Sequence, residues 1–202
     1  MPNTAPTHIE DSYAAQGITP VAGVDEAGRG ALAGPVVACA LILPPGLVIP
    51  GVQDSKKLSP KTREILAQEI KAQAIAYAFG IVDAPTIDTI NILQGALLAM
   101  ANATKALNPA PNMLLVDGNQ MPPGLPCPAI TITQGDSKSH LIAAASILAK
   151  VARDTMMETY HHQYPAYGFA AHKGYGTQAH RAAIAHHGLC PQHRTSFRQP
   201  QS

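Results

Sequence analysis

Residues 20–43 run PVAGVDEAGRGALAGPVVACALIL, an apolar stretch broken once by charge and glycine. Its first part, residues 20–24, is a short apolar strand that stops at the acidic pair Asp25-Glu26. Glycines follow at 28, 30 and 34, and the unbroken apolar run 36–43 reads as a buried strand. The same device, a short apolar strand ending in acid and then glycine or a small polar residue, recurs twice. It returns at Val116-Asp117-Gly118 and at Gly135-Asp136-Ser137. Strand ends in an α/β sheet are where ligand sites collect.

Outward from that stretch, Ser59-Pro60 carries the N-cap and N1-proline signature of a helix reaching about residue 73. Residues 74–82 suit a third strand, 85–107 one helix, 113–116 a fourth strand and 129–133 a fifth. The clearest helix spans 140–160. Leu141, Ala144, Ala145, Leu148, Val151 and Ala152 fall on one arc, and Ser146, Lys150, Arg153 and Asp154 on the other. The polar arc is expected to be solvated. The alternation predicts an α/β domain over residues 19–198, preceded by a flexible leader (1–18) and followed by a short tail (199–202).

Composition narrows the class. The chain has 202 residues, 46% hydrophobic and 13% charged, which is globular rather than disordered. It has no Trp and only three Phe, so the core must be built from Ala, Val, Ile and Leu. No run of eighteen apolar residues occurs, and the first residues lack a secretory pattern, so neither a membrane span nor export is expected. Three widely spaced cysteines without a CxxC pair (Cys39, Cys127, Cys190) fit a reducing cytoplasm. Charge is uneven. Residues 1–136 carry seven Lys and Arg against eleven Asp and Glu, while 137–202 carry seven against two and eight of the nine histidines. An acidic front and a basic rear suit a cation-binding centre beside a polyanion-binding flank.

If the three strand ends are neighbours, Asp25, Glu26, Asp117 and Asp136 converge, and such anions repel unless a cation sits among them. Hard oxygen ligands favour Mg²⁺ or Mn²⁺. Two such ions about 4 Å apart can activate a water and stabilise the leaving oxygen of a phosphodiester. In the alternative reading the acids act separately, with Asp136 as a helix N-cap, Asp117 in a turn, and Asp25-Glu26 at a solvated strand end.

These residues, with their neighbours, resemble the ribonuclease HII family. The resemblance starts at Gly23-Val24-Asp25-Glu26-Ala27-Gly28-Arg29-Gly30 and passes through Asp54-Ser55-Lys56-Lys57-Leu58-Ser59, Val116-Asp117-Gly118-Asn119 and Gly135-Asp136-Ser137-Lys138. It continues in Ala144–Val151, Tyr167-Gly168-Phe169 and His172-Lys173-Gly174-Tyr175, and closes at His193-Arg194-Thr195-Ser196-Phe197. It implies an RNase H-like fold, a mixed five-stranded sheet flanked by helices with a C-terminal helical segment. It also implies an endoribonuclease using two Mn²⁺ or Mg²⁺ ions held by Asp25, Glu26, Asp117 and Asp136; a monomer is expected. The substrates would be RNA–DNA hybrids and DNA containing single ribonucleotides, cut 5′ to the ribonucleotide to leave 3′-hydroxyl and 5′-phosphate ends. Gly28, Arg29 and Gly30 would read the ribose 2′-hydroxyl through close backbone approach, and Tyr175 would pack against the following sugar. Ala31 stands where the family commonly has proline. Arg29 and the short leader differ from the related ribonuclease HIII.

Lys56, Lys57, Lys138, Lys173, Arg194 and Ser196 are candidate phosphate contacts, whereas Lys150 and Arg153 are expected to be merely solvated. His186–His193 contains zinc-like residue types without a paired Cys-x-x-Cys, so zinc is not expected. A non-catalytic nucleic-acid-binding module, or a resolvase-like DNA nuclease, would occupy the same scaffold with a different outcome.

Overall fold

The computed structural model describes residues 4–197, so the tail at 199–202 lies outside the described residues, as do residue 198 and the first three of the leader. Five strands, β1 (Val21–Ala27), β2 (Val36–Ile42), β3 (Ala76–Val82), β4 (Met113–Asp117) and β5 (Ala129–Ile132), form one sheet in the order β3-β2-β1-β4-β5. β1 pairs antiparallel with β2 and parallel with β4, while β2–β3 is antiparallel and β4–β5 parallel. This is the expected mixed sheet.

The helices are α1 (His8–Ala15), α2 (Pro60–Gln73), α3 (Ala84–Ile90), α4 (Ile92–Lys105), α5 (His140–Gln163), α6 (Phe169–His172) and α7 (Gln178–His187). Alternation along the central strands sends Cys39, Leu41 and Leu115 into one apolar layer with α2 and α5. Ala22, Val24, Ala38, Leu114 and Val116 enter the other layer, beneath α4. Small residues bring α5 close to the sheet. A Cβ on Gly23 of β1 would lie 2.3 Å from the backbone carbon of Leu141, so only glycine fits at that crossing.

Three expectations are corrected. Residues 4–18 do not form a loose leader: α1 is docked, and the buried Glu10 accepts hydrogen bonds from the Leu141 amide (3.1 Å) and the Ser139 hydroxyl (3.3 Å) at the start of α5. That carboxylate meets the orphan donors of a long helix, which the leader's composition does not signal. The single helix expected over 85–107 is two. Asn91, at φ +66°, breaks it and caps α4 by accepting from the Gln94 amide at 3.1 Å. Arg153, expected in solvent, is fully buried.

The C-terminal part packs a ring cluster behind the β1–β2 loop. Phe169, His180 and His193 are buried there, and the two imidazoles meet Nε2 to Nε2 at 3.1 Å. Burial first, and then the neighbouring rings of His172 and His193, pulls His180 down to about 4. The folded state therefore binds fewer protons than the unfolded chain, and His180 costs stability progressively as pH falls from about 6.5 toward 4. The urea midpoint is expected to fall across that window, and less steeply in His180→Asn. Gly23→Ala is expected to lower stability by about 1–3 kcal/mol through overpacking against α5, measurable by urea unfolding at constant pH.

Candidate metal and nucleic-acid site

The parallel register of β1 and β4 sets Val24 beside Val116, so the next residues, Asp25 and Asp117, leave adjacent strand ends together. Glu26 follows on β1. One carboxylate oxygen from each of Asp25, Glu26 and Asp117 lies within 4.8 Å of the others. Asp25 is buried and accepts from the Glu26 amide at 2.6 Å. Asp117 accepts from the Gly135 amide, also at 2.6 Å, which ties β4 to the turn carrying Asp136. Burial, reinforced by repulsion from Glu26 and Asp117, raises the Asp25 carboxyl well above the usual carboxylate range. Burial raises Glu26 as well, with Arg29 opposing at 3.3 Å.

Asp136 stands slightly apart. It occupies a 3-10 turn, Gly135–Ser137, beyond the end of β5 rather than at a strand terminus. Its carboxylate is 3.9 Å from Lys56 Nζ. Burial, then repulsion from Asp54 and Asp117, raises it, and Lys56 offsets part of this. Asp136 thus shares the field of the other acids without joining their 4.8 Å cluster.

An all-oxygen set of mutually repelling carboxylates fits a hard divalent cation, whose charge would relieve the repulsion. Among the described residues, this is the one group of three or more His, Cys, Asp or Glu that could hold a metal. Among the described residues, the histidines and cysteine at 186–193 form no such group.

Asp25, Glu26 and Asp117 line a groove of about 450 Å³ together with Gly28, Arg29, Gly30, Ser55, Lys56, Ser146, Lys150 and Tyr175. Gly28 and Gly30 differ in role. Gly28 is at φ +100°, and a Cβ there would sit 2.1 Å from Arg153 Nε, so its glycine serves packing. Gly30 is exposed, and no residue beyond its two chain neighbours comes within 4 Å of where a Cβ would stand. Tyr175 lines the same groove, with Lys150 Nζ 5.4 Å and the Arg153 guanidinium 5.3 Å from its ring centre.

The remaining candidates separate. Lys56 reaches the groove. Lys57 lines a different hollow of about 190 Å³ with Asp54, Asp136 and Ser137. Lys138 donates to the Thr133 carbonyl, and Lys173 pairs with Glu158, each at 2.6 Å. Lys173 borders a hollow of about 310 Å³ that shares Lys150 and Tyr175 with the groove. Arg194 is corrected outright: it is fully buried and donates to the carbonyls of Gly28, Arg29 and Gly34, so it serves the loop and not a phosphate. The Ser196 hydroxyl and amide both go to Asp88.

Ser55, Ser146 and Lys150 reach the groove, although the sequence did not single them out for it. The two serine hydroxyls meet at 2.8 Å across the gap between Ser55 and α5. The spacing 146, 150, 153 on α5 is one helical face: Ser146 and Lys150 line the groove, Lys150 also pairing with Asp154 at 2.6 Å, while Arg153 turns to the carbonyls of Ala33, Pro35 and Lys173.

The ribonuclease HII family model matches residues 22–200. A ribonuclease HII from Syntrophotalea carbinolica is 53% identical over 196 residues, covering 97% of this chain and 93% of that protein. One from Geobacter sulfurreducens is also 53% identical, over 98% of this chain and 90% of that protein. Among solved structures, ribonuclease H2 from Pyrococcus horikoshii matches with a TM-score of 0.71 at 28% identity, over 88% of this chain and 93% of that one. A Bst-RNase HIII solved in complex with Mn²⁺ shares the fold, with a TM-score of 0.64 at 18% identity over 88% of this chain and 66% of that one. The strand-end acids, the glycine loop beside them and these matches agree: the chain belongs to the ribonuclease HII family, metal-dependent ribonucleases H that cleave the RNA strand of RNA–DNA hybrids.

Proposed function

We propose that the chain acts as a monomer in the cytoplasm and cuts RNA–DNA hybrids and duplex DNA carrying a single ribonucleotide, 5′ to that residue, leaving 3′-hydroxyl and 5′-phosphate ends. The observation that carries this reading is the convergence of Asp25, Glu26 and Asp117 in the same groove as Gly30 and Tyr175. Asp25, Glu26 and Asp117 would hold Mn²⁺ or Mg²⁺, with Asp136 completing the set from beside Lys56. When bound, two such ions supply an activated water and charge stabilisation at the leaving 3′-oxygen.

The chain's own residues do the rest. The exposed backbone at Arg29 and Gly30 approaches the minor groove, where a 2′-hydroxyl distinguishes ribose from deoxyribose. Tyr175 presents its ring to the next sugar, held by the cations of Lys150 and Arg153 at its face. Lys56 stands 85% exposed by its side chain, available to a backbone phosphate as well as to Asp136. Positioning the scissile phosphate over the acids by these contacts removes the orientational cost of reaction. Lys57, Lys138 and Lys173 are proposed as outlying phosphate contacts.

The test is a labelled DNA duplex with one ribonucleotide, beside an all-DNA control, incubated with Mn²⁺, Mg²⁺ or EDTA. Metal-dependent cutting 5′ to the ribonucleotide, with the control intact, is expected; equal cutting of both duplexes would contradict ribose recognition. Asp117→Asn is expected to reduce the cleavage rate by more than the roughly 100-fold typical of losing an outer-shell partner, while the hybrid is still bound in a mobility-shift assay. Gly30→Val adds a Cβ that meets no atom beyond those of its two chain neighbours. It is expected to leave the unfolding midpoint unchanged and to cut kcat/KM on the single-ribonucleotide duplex at least about tenfold, or ~1.4 kcal/mol.

A further inference from the structure

The loop joining β1 to β2 is gripped from beneath by the segment 192–197. Arg194 donates to the carbonyls of Gly28 at 2.7 Å, Arg29 at 2.9 Å and Gly34 at 3.0 Å. Its backbone amide donates to Leu32 O at 2.9 Å, and the Gly34 amide donates to Gln192 O at 2.8 Å. In a planar trans peptide the N–H points away from its own carbonyl. Carbonyls of Gly28 and Arg29 that turn inward to Arg194 therefore turn the amides of Arg29 and Gly30 the opposite way. Arg194 sets the direction of the donors that the proposed ribose contact uses.

The strap must itself be fixed, and the fixing point lies outside the groove. Asp88, on α3, receives four hydrogen bonds from the two residues that follow Arg194. One carboxylate oxygen takes the Thr195 amide at 2.8 Å and the Thr195 hydroxyl at 2.7 Å. The other takes the Ser196 amide at 3.0 Å and the Ser196 hydroxyl at 2.6 Å. Both oxygens are engaged as acceptors by a contiguous dipeptide more than 100 positions away in sequence. Against the cost of its partial burial, these donors hold the Asp88 carboxyl below its usual value, so the acceptor stays ionised through the working pH range. Phe197 completes the strap, with the Arg194 guanidinium 5.0 Å from its ring centre.

We infer that Asp88 is a positioning residue for ribose discrimination: by fixing Thr195 and Ser196 it fixes Arg194, and through Arg194 the peptide planes at Gly28-Arg29-Gly30. The inference rests on the proposed reading of that turn as the 2′-hydroxyl contact. It also gives Ser196 a definite role, the anchoring of the strap.

Equilibrium binding to a one-ribonucleotide duplex and to the matching all-DNA duplex separates this role from general stability. Asp88→Ala is expected to narrow the wild-type affinity ratio between the two duplexes at least fivefold while all-DNA affinity stays within twofold. A merely structural loss would lower both affinities together. Thr195→Val, which removes one of the four bonds, is expected to narrow the ratio by a smaller amount, and Thr195→Ser, which keeps the hydroxyl, to retain it. A wild-type ratio in both Asp88→Ala and Thr195→Val, or a parallel fall in both affinities, overturns the role of Asp88. A wild-type protein with no preference for the ribonucleotide overturns the ribose reading itself.

Discussion

The parallel pairing of β1 with β4 is the constraint on which the rest depends. With Val24 held beside Val116, Asp25 and Asp117 have nowhere to go but the same end of the sheet. Sheet hydrogen bonds and the apolar layers on both faces hold that register, since a one-residue slip would turn each alternating side chain to the opposite layer. The repulsion among the acids is a cost carried by the fold, and it is what prepares the site for a divalent cation. Glycine at position 23 lets α5 lie close over β1, and the polar face of α5 then closes one side of the groove.

A second layer of organisation lies under the glycine loop. Arg153 donates to the carbonyls of Ala33, Pro35 and Lys173, and Arg194 to those of Gly28, Arg29 and Gly34. Burying a guanidinium without partners is costly, so these carbonyls are required as well as fixed by the arrangement. Each arginine also joins segments far apart in sequence: Arg153 connects α5 with the loop and with Lys173, close in sequence to Tyr175, while Arg194 connects the C-terminal strap with the same loop. The glycine loop and the segment carrying Tyr175 are thus set relative to each other before substrate arrives, which lowers the ordering cost of binding.

Much of this was legible in the sequence. The three apolar segments followed by acid pointed to neighbouring strand ends of one sheet, and Asp25, Glu26 and Asp117 do converge at the ends of β1 and β4. What escaped was set by tertiary partners. Arg153 sits on a helical arc that looks solvated by composition, and only the carbonyls of a distant loop make its burial tolerable. Arg194 lies in a basic segment and suggested phosphate, but its donors point inward. The partial separation of Asp136 follows from a turn beyond β5 that residue types alone do not specify. Glu10 gave no local signal at all, because the donors it meets belong to residues 139 and 141.

The central claim is that the carboxylates at the ends of β1 and β4 form one divalent-metal centre. Titration of the folded protein with Mn²⁺, followed by electron paramagnetic resonance of the free ion, tests it without any substrate. The account requires binding by the wild-type chain that is severely weakened in Asp25→Asn with the secondary structure intact. Unchanged Mn²⁺ affinity in that variant would contradict it.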